Sequence, residues 1–240
     1  MEYINPPEPV YKEQIFDIFL YLFEIAGIEN RGSLTFEKDF QKYLKFQKEA
    51  DWKRLRAALD LLVDTDYAIQ EAFKYQLGNK GSSTIGENYL RLYGVLNAVY
   101  LQMSAYKAIA MLLNYPNRNK IERDFTSLNI YKLRNLAAAH TLDFKFDNII
   151  KSKTFRLLQS ELDYSGNRIV MFAENGEKYE YNLLIILNEY DLLTTKLLEH
   201  IIIHAIEKLV FKHHYRHELK ERLKTRLDAL INYSELNKNL

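Results

Sequence analysis

A chain of 240 residues is long enough to bury a sizeable core, and it fits one large domain or one domain with an extension. Its formal net charge of +1 gives no global pull toward nucleic acid, so any such partner must be recognised by a local patch. With no cysteine there are no disulfides and no thiolate metal sites, and eight glycines and four prolines leave little material for irregular loops.

The N-terminus carries no basic region followed by an apolar run, as a signal peptide would. No apolar stretch is long enough to span a bilayer. The expectation is a cytoplasmic protein with no membrane partner.

Residues 10–27 are expected to form a first amphipathic helix, with Ile15, Ile18, Phe19, Leu22 and Phe23 on one face and Gly27 at its end. A short helix is expected over 36–46. Residues 51–77 then repeat apolar side chains through Leu55, Leu59, Leu62, Ala68, Ile69 and Phe73, as one long helix requires. The segment 78–83, which holds Gly78, Gly81 and two serines, is the clearest break in the chain. Its glycine pattern matches no phosphate-binding fingerprint.

Another long helix is expected over 87–114, built on Leu92, Leu96, Val99, Tyr100 and Met103 and stopped by Pro116. After a polar connection, Thr126 and Ser127 are placed to cap a shorter helix. That helix carries Ile130, Leu133, Leu136 and Ala137 and stops near His140. Short strands are expected over 154–162, 168–173 and 178–182. Asn175-Gly176 between the last two is a strong hairpin signal. Residues 183–231 read as almost continuously helical with one break near His213. The fold class is therefore mainly α, a helical bundle with a small antiparallel β insertion at about 154–182. Residues 1–50 are expected to be an N-terminal helical extension, and 51–240 the bundle itself.

The chemistry concentrates at Arg134, Asn135 and His140. Three alanines occupy most of the space between the arginine and the histidine, so another helix or a second subunit can approach closely. A histidine near a helix C-terminus feels the negative end of the dipole, which favours its protonated form. Arginine can hold a phosphate through two parallel hydrogen bonds. Together they suit metal-independent cleavage of an RNA phosphodiester. The 2′-hydroxyl attacks the adjacent phosphorus and the 5′-oxygen leaves, with His140 as general acid or base and Arg134 stabilising charge in the transition state. Positions six apart do not share a face of an ideal α-helix. Either the helix distorts toward His140 or a partner chain brings the two together. The structural alternative is a helix-terminal histidine and an exposed arginine, with alanines for close packing.

Arg134-Asn135-(four residues)-His140 resembles the Arg-(four to six residues)-His motif of HEPN domains, including the polar residue after the arginine. The resemblance implies an all-helical bundle, HEPN-like in its up-and-down arrangement from about residue 51 to 230. It also implies a homodimer with a composite site, and metal-independent ribonuclease activity in toxin–antitoxin, abortive-infection or CRISPR-type antiviral defence. An antitoxin or other defence-system protein is then the expected partner. Only Arg134, Asn135 and His140 carry the match, and the β insertion is not part of the minimal pattern. The subgroup paired with nucleotidyltransferase antitoxins has a tyrosine two residues after the histidine, where this chain has Leu142.

Residues 212–226 hold six Lys/Arg and three histidines against Glu218 and Glu221. A solvated helix face is the ordinary account. The functional one is a phosphate-binding surface, with Lys212, Arg216 and Lys220 contacting RNA. His200 with His204, and His213 with His217, are each four apart, the spacing of two imidazoles on one zinc. Neither pair has an evident third ligand, so ordinary helix histidines are the better account. Asp60, Asp64 and Asp66 likewise read as a solvated helix face rather than a Mg²⁺ site. The chain lacks a Walker motif, a nucleophile elbow, a zinc ribbon and a dinucleotide fingerprint, so no metal or other cofactor is expected. A catalytically silent helical adaptor that binds protein or RNA is the competing functional class.

Overall fold

The computed structural model describes residues 13–29, 46, 48, 50–78, 83–139, 155–164, 167–210 and 212–237. It is mainly helical, with one three-stranded antiparallel sheet of order β1-β2-β3. The elements are α1 (Glu13–Glu29), α2 (Asp51–Tyr75), α3 (Ile85–Leu112), α4 (Arg118–Ser127) and α5 (Asn129–Arg134). A π-helical turn (Asn135–Ala139) continues α5 directly. Then come β1 (Phe155–Leu157), α6 (Gln159–Tyr164), β2 (Arg168–Ala173), β3 (Lys178–Asn182), α7 (Leu183–Leu209) and α8 (His213–Asn237). Among the described residues, no helix is long and apolar enough to cross a membrane. The helix expected over 36–46 lies outside the described residues, apart from a non-helical Phe46.

The chain divides into two compact units, one of residues 1–66, 108–116 and 195–240, the other of 67–107 and 117–194. In the first, α1 buries Ile18, Phe19, Leu22, Phe23 and Ile25, the repeat that makes this segment an amphipathic helix. Phe23 meets Trp52 edge to face at a centroid separation of 5.5 Å. Helix α8 packs on α1 and supplies Leu219, Leu223 and Leu227, one buried residue per turn. Beside that seam, the Tyr21 hydroxyl donates to Glu218 Oε1 at 3.1 Å, and Arg222 lies 4.2 Å from the centre of the Tyr21 ring.

The second unit is built on residues of α3, α4, α5, the sheet and α7. The α3 N-terminus is closed by a reciprocal capping box. The Thr84 backbone N–H donates to Glu87 Oε2 at 2.7 Å, and the Glu87 N–H donates to Thr84 Oγ1 at 3.2 Å. Asn182 starts α7 in a related way, its Oδ1 accepting the Ile185 N–H at 3.2 Å. In the core, the Tyr190 hydroxyl donates to Gln102 Oε1 at 2.8 Å, with both residues fully buried. Asn88 is buried as well. Its amide donates to the Leu162 carbonyl at 2.8 Å, and its Oδ1 accepts from Ser83 Oγ at 2.8 Å.

The hairpin forms where Asn175-Gly176 predicts it, with Met171 opposite Tyr179 and Phe172 opposite Lys178. Gly176 takes φ +82°, a conformation glycine adopts without strain, and its N–H donates to the Ala173 carbonyl at 2.9 Å.

Three expectations are corrected. Residues 118–127 are helical rather than a polar connection, because Ile121 and Phe125, one turn apart, are both buried. Thr126 and Ser127 therefore end α4 instead of capping α5. Their hydroxyls donate back to the Arg123 and Asp124 carbonyls at 3.1 and 2.7 Å, while Leu128 takes the cap position without a side-chain bond. The strand expected over 154–162 is only three residues long. The chain turns helical at Gln159, which buries Leu162 and offers its carbonyl to Asn88.

Candidate functional site

The motif sits where α5 changes helical type. Ile130 and Leu133 are fully buried and anchor α5, and Leu136 and Ala137 continue the apolar face into the π turn. The turn also packs against β1 within the same unit. A π turn bonds i to i+5 instead of i+4, widens the coil and rotates the side chains that follow, and such turns are frequent at functional sites. The helix thus changes its winding directly after Arg134. His140 itself lies outside the described residues.

Arg134 is the last residue of α5 and is half-buried. Its guanidinium carbon stands 3.9 Å from the centre of the Tyr100 ring, a cation–π contact between α5 and α3. Its Nη1 donates to Asn135 Oδ1 at 3.1 Å, and Asn135 is only 8% exposed. The guanidinium is thereby held over an aromatic face with one amine engaged. Asn135 orients the arginine from the adjacent position, and a permanently charged planar fork with fixed orientation suits recognition of a phosphate. Tyr100 has no signature in the sequence, because nothing in the chain between it and Arg134 signals that the two meet.

The basic face of α8 is a second, separate feature. Lys212 is exposed just before the helix, with its ammonium 5.8 Å from the centre of the Tyr215 ring. Arg216 turns back onto the end of α7, where its Nε donates to the Val210 carbonyl. Lys220 pairs with Glu207 Oε1 at 2.9 Å. That ammonium holds the Glu207 carboxyl below its ordinary range, with a smaller contribution from Arg216. Glu207, His213, Arg216, His217 and Lys220 line an open cleft of about 470 Å³ within the first unit. Two of the three cations singled out from the sequence thus meet in one place, and Glu207 joins them unannounced by any motif.

The remaining candidates separate. His200 is exposed, whereas the His204 ring packs edge-on against Tyr115 at 5.6 Å with its Nε2 buried. Asp60 and Asp64 are exposed, while Asp66 is buried. Among the described residues, no three His, Asp or Glu side chains gather as metal ligands. Comparison with protein-family models, with curated proteins and with solved structures returns no match.

Proposed function

We propose that the chain is a metal-independent endoribonuclease of HEPN type, acting as a homodimer in a defence or toxin–antitoxin setting. His140 moves the proton, and Arg134, oriented by Asn135, holds the scissile phosphate. The basic face of α8 contacts the RNA. The observation that carries this reading is the π turn that begins at Asn135, directly after an arginine already fixed against Tyr100. A mainly helical fold with a small sheet accords with it. The test is cleavage of a single-stranded RNA by the purified protein. His140→Ala should abolish cleavage and leave the helical circular dichroism unchanged, and EDTA should have no effect. Cleavage retained in that variant refutes the assignment, and loss of cleavage in EDTA refutes the metal-free mechanism.

A second reading, a catalytically silent adaptor for protein or RNA, draws on the partners these cations already have. Arg134 is engaged by Tyr100 and Asn135, Arg216 by the Val210 carbonyl and Lys220 by Glu207. Under that reading, Arg134→Ala leaves RNA intact and changes only stability or partner binding.

A further inference from the structure

The cleft at the start of α8 contains more than a solvated basic face requires. Arg216 is not a free surface side chain. Its Nε is committed to the Val210 carbonyl, which fixes the plane of the guanidinium while the two terminal amines carry the remaining donors. Lys220, one turn further on, pairs with Glu207 at the surface. His213 and His217 stand one turn apart on the same helix and are both exposed. The walls therefore present one fixed planar fork, one ammonium and two imidazoles against a single carboxylate. At about 470 Å³ the cleft is within the range of small-ligand sites.

We propose that this cleft is a binding site for a phosphate group, held by the Arg216 fork, Lys220 and the imidazoles of His213 and His217. Glu207 is the counter-charge of the empty state. It neutralises Lys220 until an anion arrives, and the arriving phosphate takes over that ammonium. The inference rests on the basic-face reading of α8 given above and not on the Arg134 motif. Lys212, which does not line the cleft, is outside the site.

The experiment titrates inorganic phosphate into the full-length protein at constant ionic strength and follows the histidine ring signals by NMR, with His213→Gln and His217→Gln variants to assign them. The His213 and His217 signals should shift saturably with phosphate and not with chloride. Lys220→Gln should weaken binding about fivefold, and Glu207→Gln should tighten it by a similar factor, as expected for single exposed charges. Circular dichroism of both variants should match the unmodified protein. Signals that do not saturate, or a Glu207→Gln variant with unchanged affinity, overturn the proposal. Competition by single-stranded RNA assigns the phosphate to an RNA backbone, and competition by a nucleoside monophosphate alone assigns it to a free monoester. Cleavage is measured separately, so a chain that binds phosphate but cuts no RNA refutes the ribonuclease and leaves this site standing.

Discussion

The guanidinium carbon of Arg134 lies 3.9 Å from the centre of the Tyr100 ring, so an α3 side chain holds the arginine of the motif. Tyr100→Phe keeps the aromatic face and should preserve both stability and any activity of Arg134. Tyr100→Leu removes it and should cost about 0.5–1 kcal/mol in urea unfolding. Under the ribonuclease reading it should also lower kcat more than it raises KM, because a loosened arginine binds the ground state nearly as well as before. Equal behaviour of the two variants would show that the stacking contributes nothing.

Gly78 and Gly176 both have positive φ, at +124° and +82°, but their surroundings differ. A Cβ on Gly78 runs into Ser83 Oγ and Asn88 Oδ1, whereas one on Gly176 meets nothing. Gly176→Ala should cost only the backbone strain of about 1 kcal/mol. Gly78→Ala should cost clearly more, because it also disturbs the buried Asn88 that ties α3 to the Leu162 carbonyl. Thermal unfolding of the two variants in parallel checks the order, and a reversed order would remove the close approach at Gly78 as its cause.

Tyr190→Phe deletes the hydroxyl that donates to Gln102 and changes almost no volume. With both partners buried, the expected loss is about 1–3 kcal/mol. The double variant Tyr190→Phe/Gln102→Leu should lose less than the sum of the two single changes. Strict additivity in chemical denaturation would mean that the pair does not act as a unit.

Glu180 on β3 is paired with Lys178 two residues before it and with Arg168 across the hairpin, at 2.9 Å from the latter. The hydrogen bond from Lys178, followed by that from Arg168, lowers its carboxyl from 4.5 to about 2. Because the folded value is depressed, the stabilising contribution is present above the unfolded value and is lost as pH falls from 4.5 toward 2. A carboxyl NMR titration should place the midpoint near 2, and Lys178→Gln should move it upward. A midpoint near 4.5 in the unmodified protein would mean that the pair is not formed in solution.

The parts of the fold with local causes were legible in the sequence. The apolar repeats of α2 and α3, the Asn175-Gly176 turn and the break before His213 each depend on residues a few positions apart. Thr84 and Glu87 also stand at capping-box spacing, a signal that starts α3 two residues earlier than its apolar repeat suggests. Helix α4 was not legible. Ile121 and Phe125 are its only buried residues, and the rings nearest Phe125, those of Tyr106 and Tyr190 at 6.2 and 6.3 Å, are distant in the chain. The π turn was not legible either, since an alanine run suits an α-helix equally well. The sequence singles out Arg134 and Asn135 by spacing, and Arg216 and Lys220 by charge, but Tyr100 beside the former pair and Glu207 beside the latter enter only through tertiary contact.

Three of the four boundaries between the compact units fall inside helices, at 66/67 in α2, 107/108 in α3 and 194/195 in α7. No single cut in a loop releases either unit as a continuous piece of chain. A truncation that keeps the 129–139 segment but ends within α7 severs that helix partway along and removes residues 195–209 from the first unit's share of it. Expression of fragments is therefore a poor way to dissect this protein, and point substitutions in the intact chain are the appropriate genetic tool.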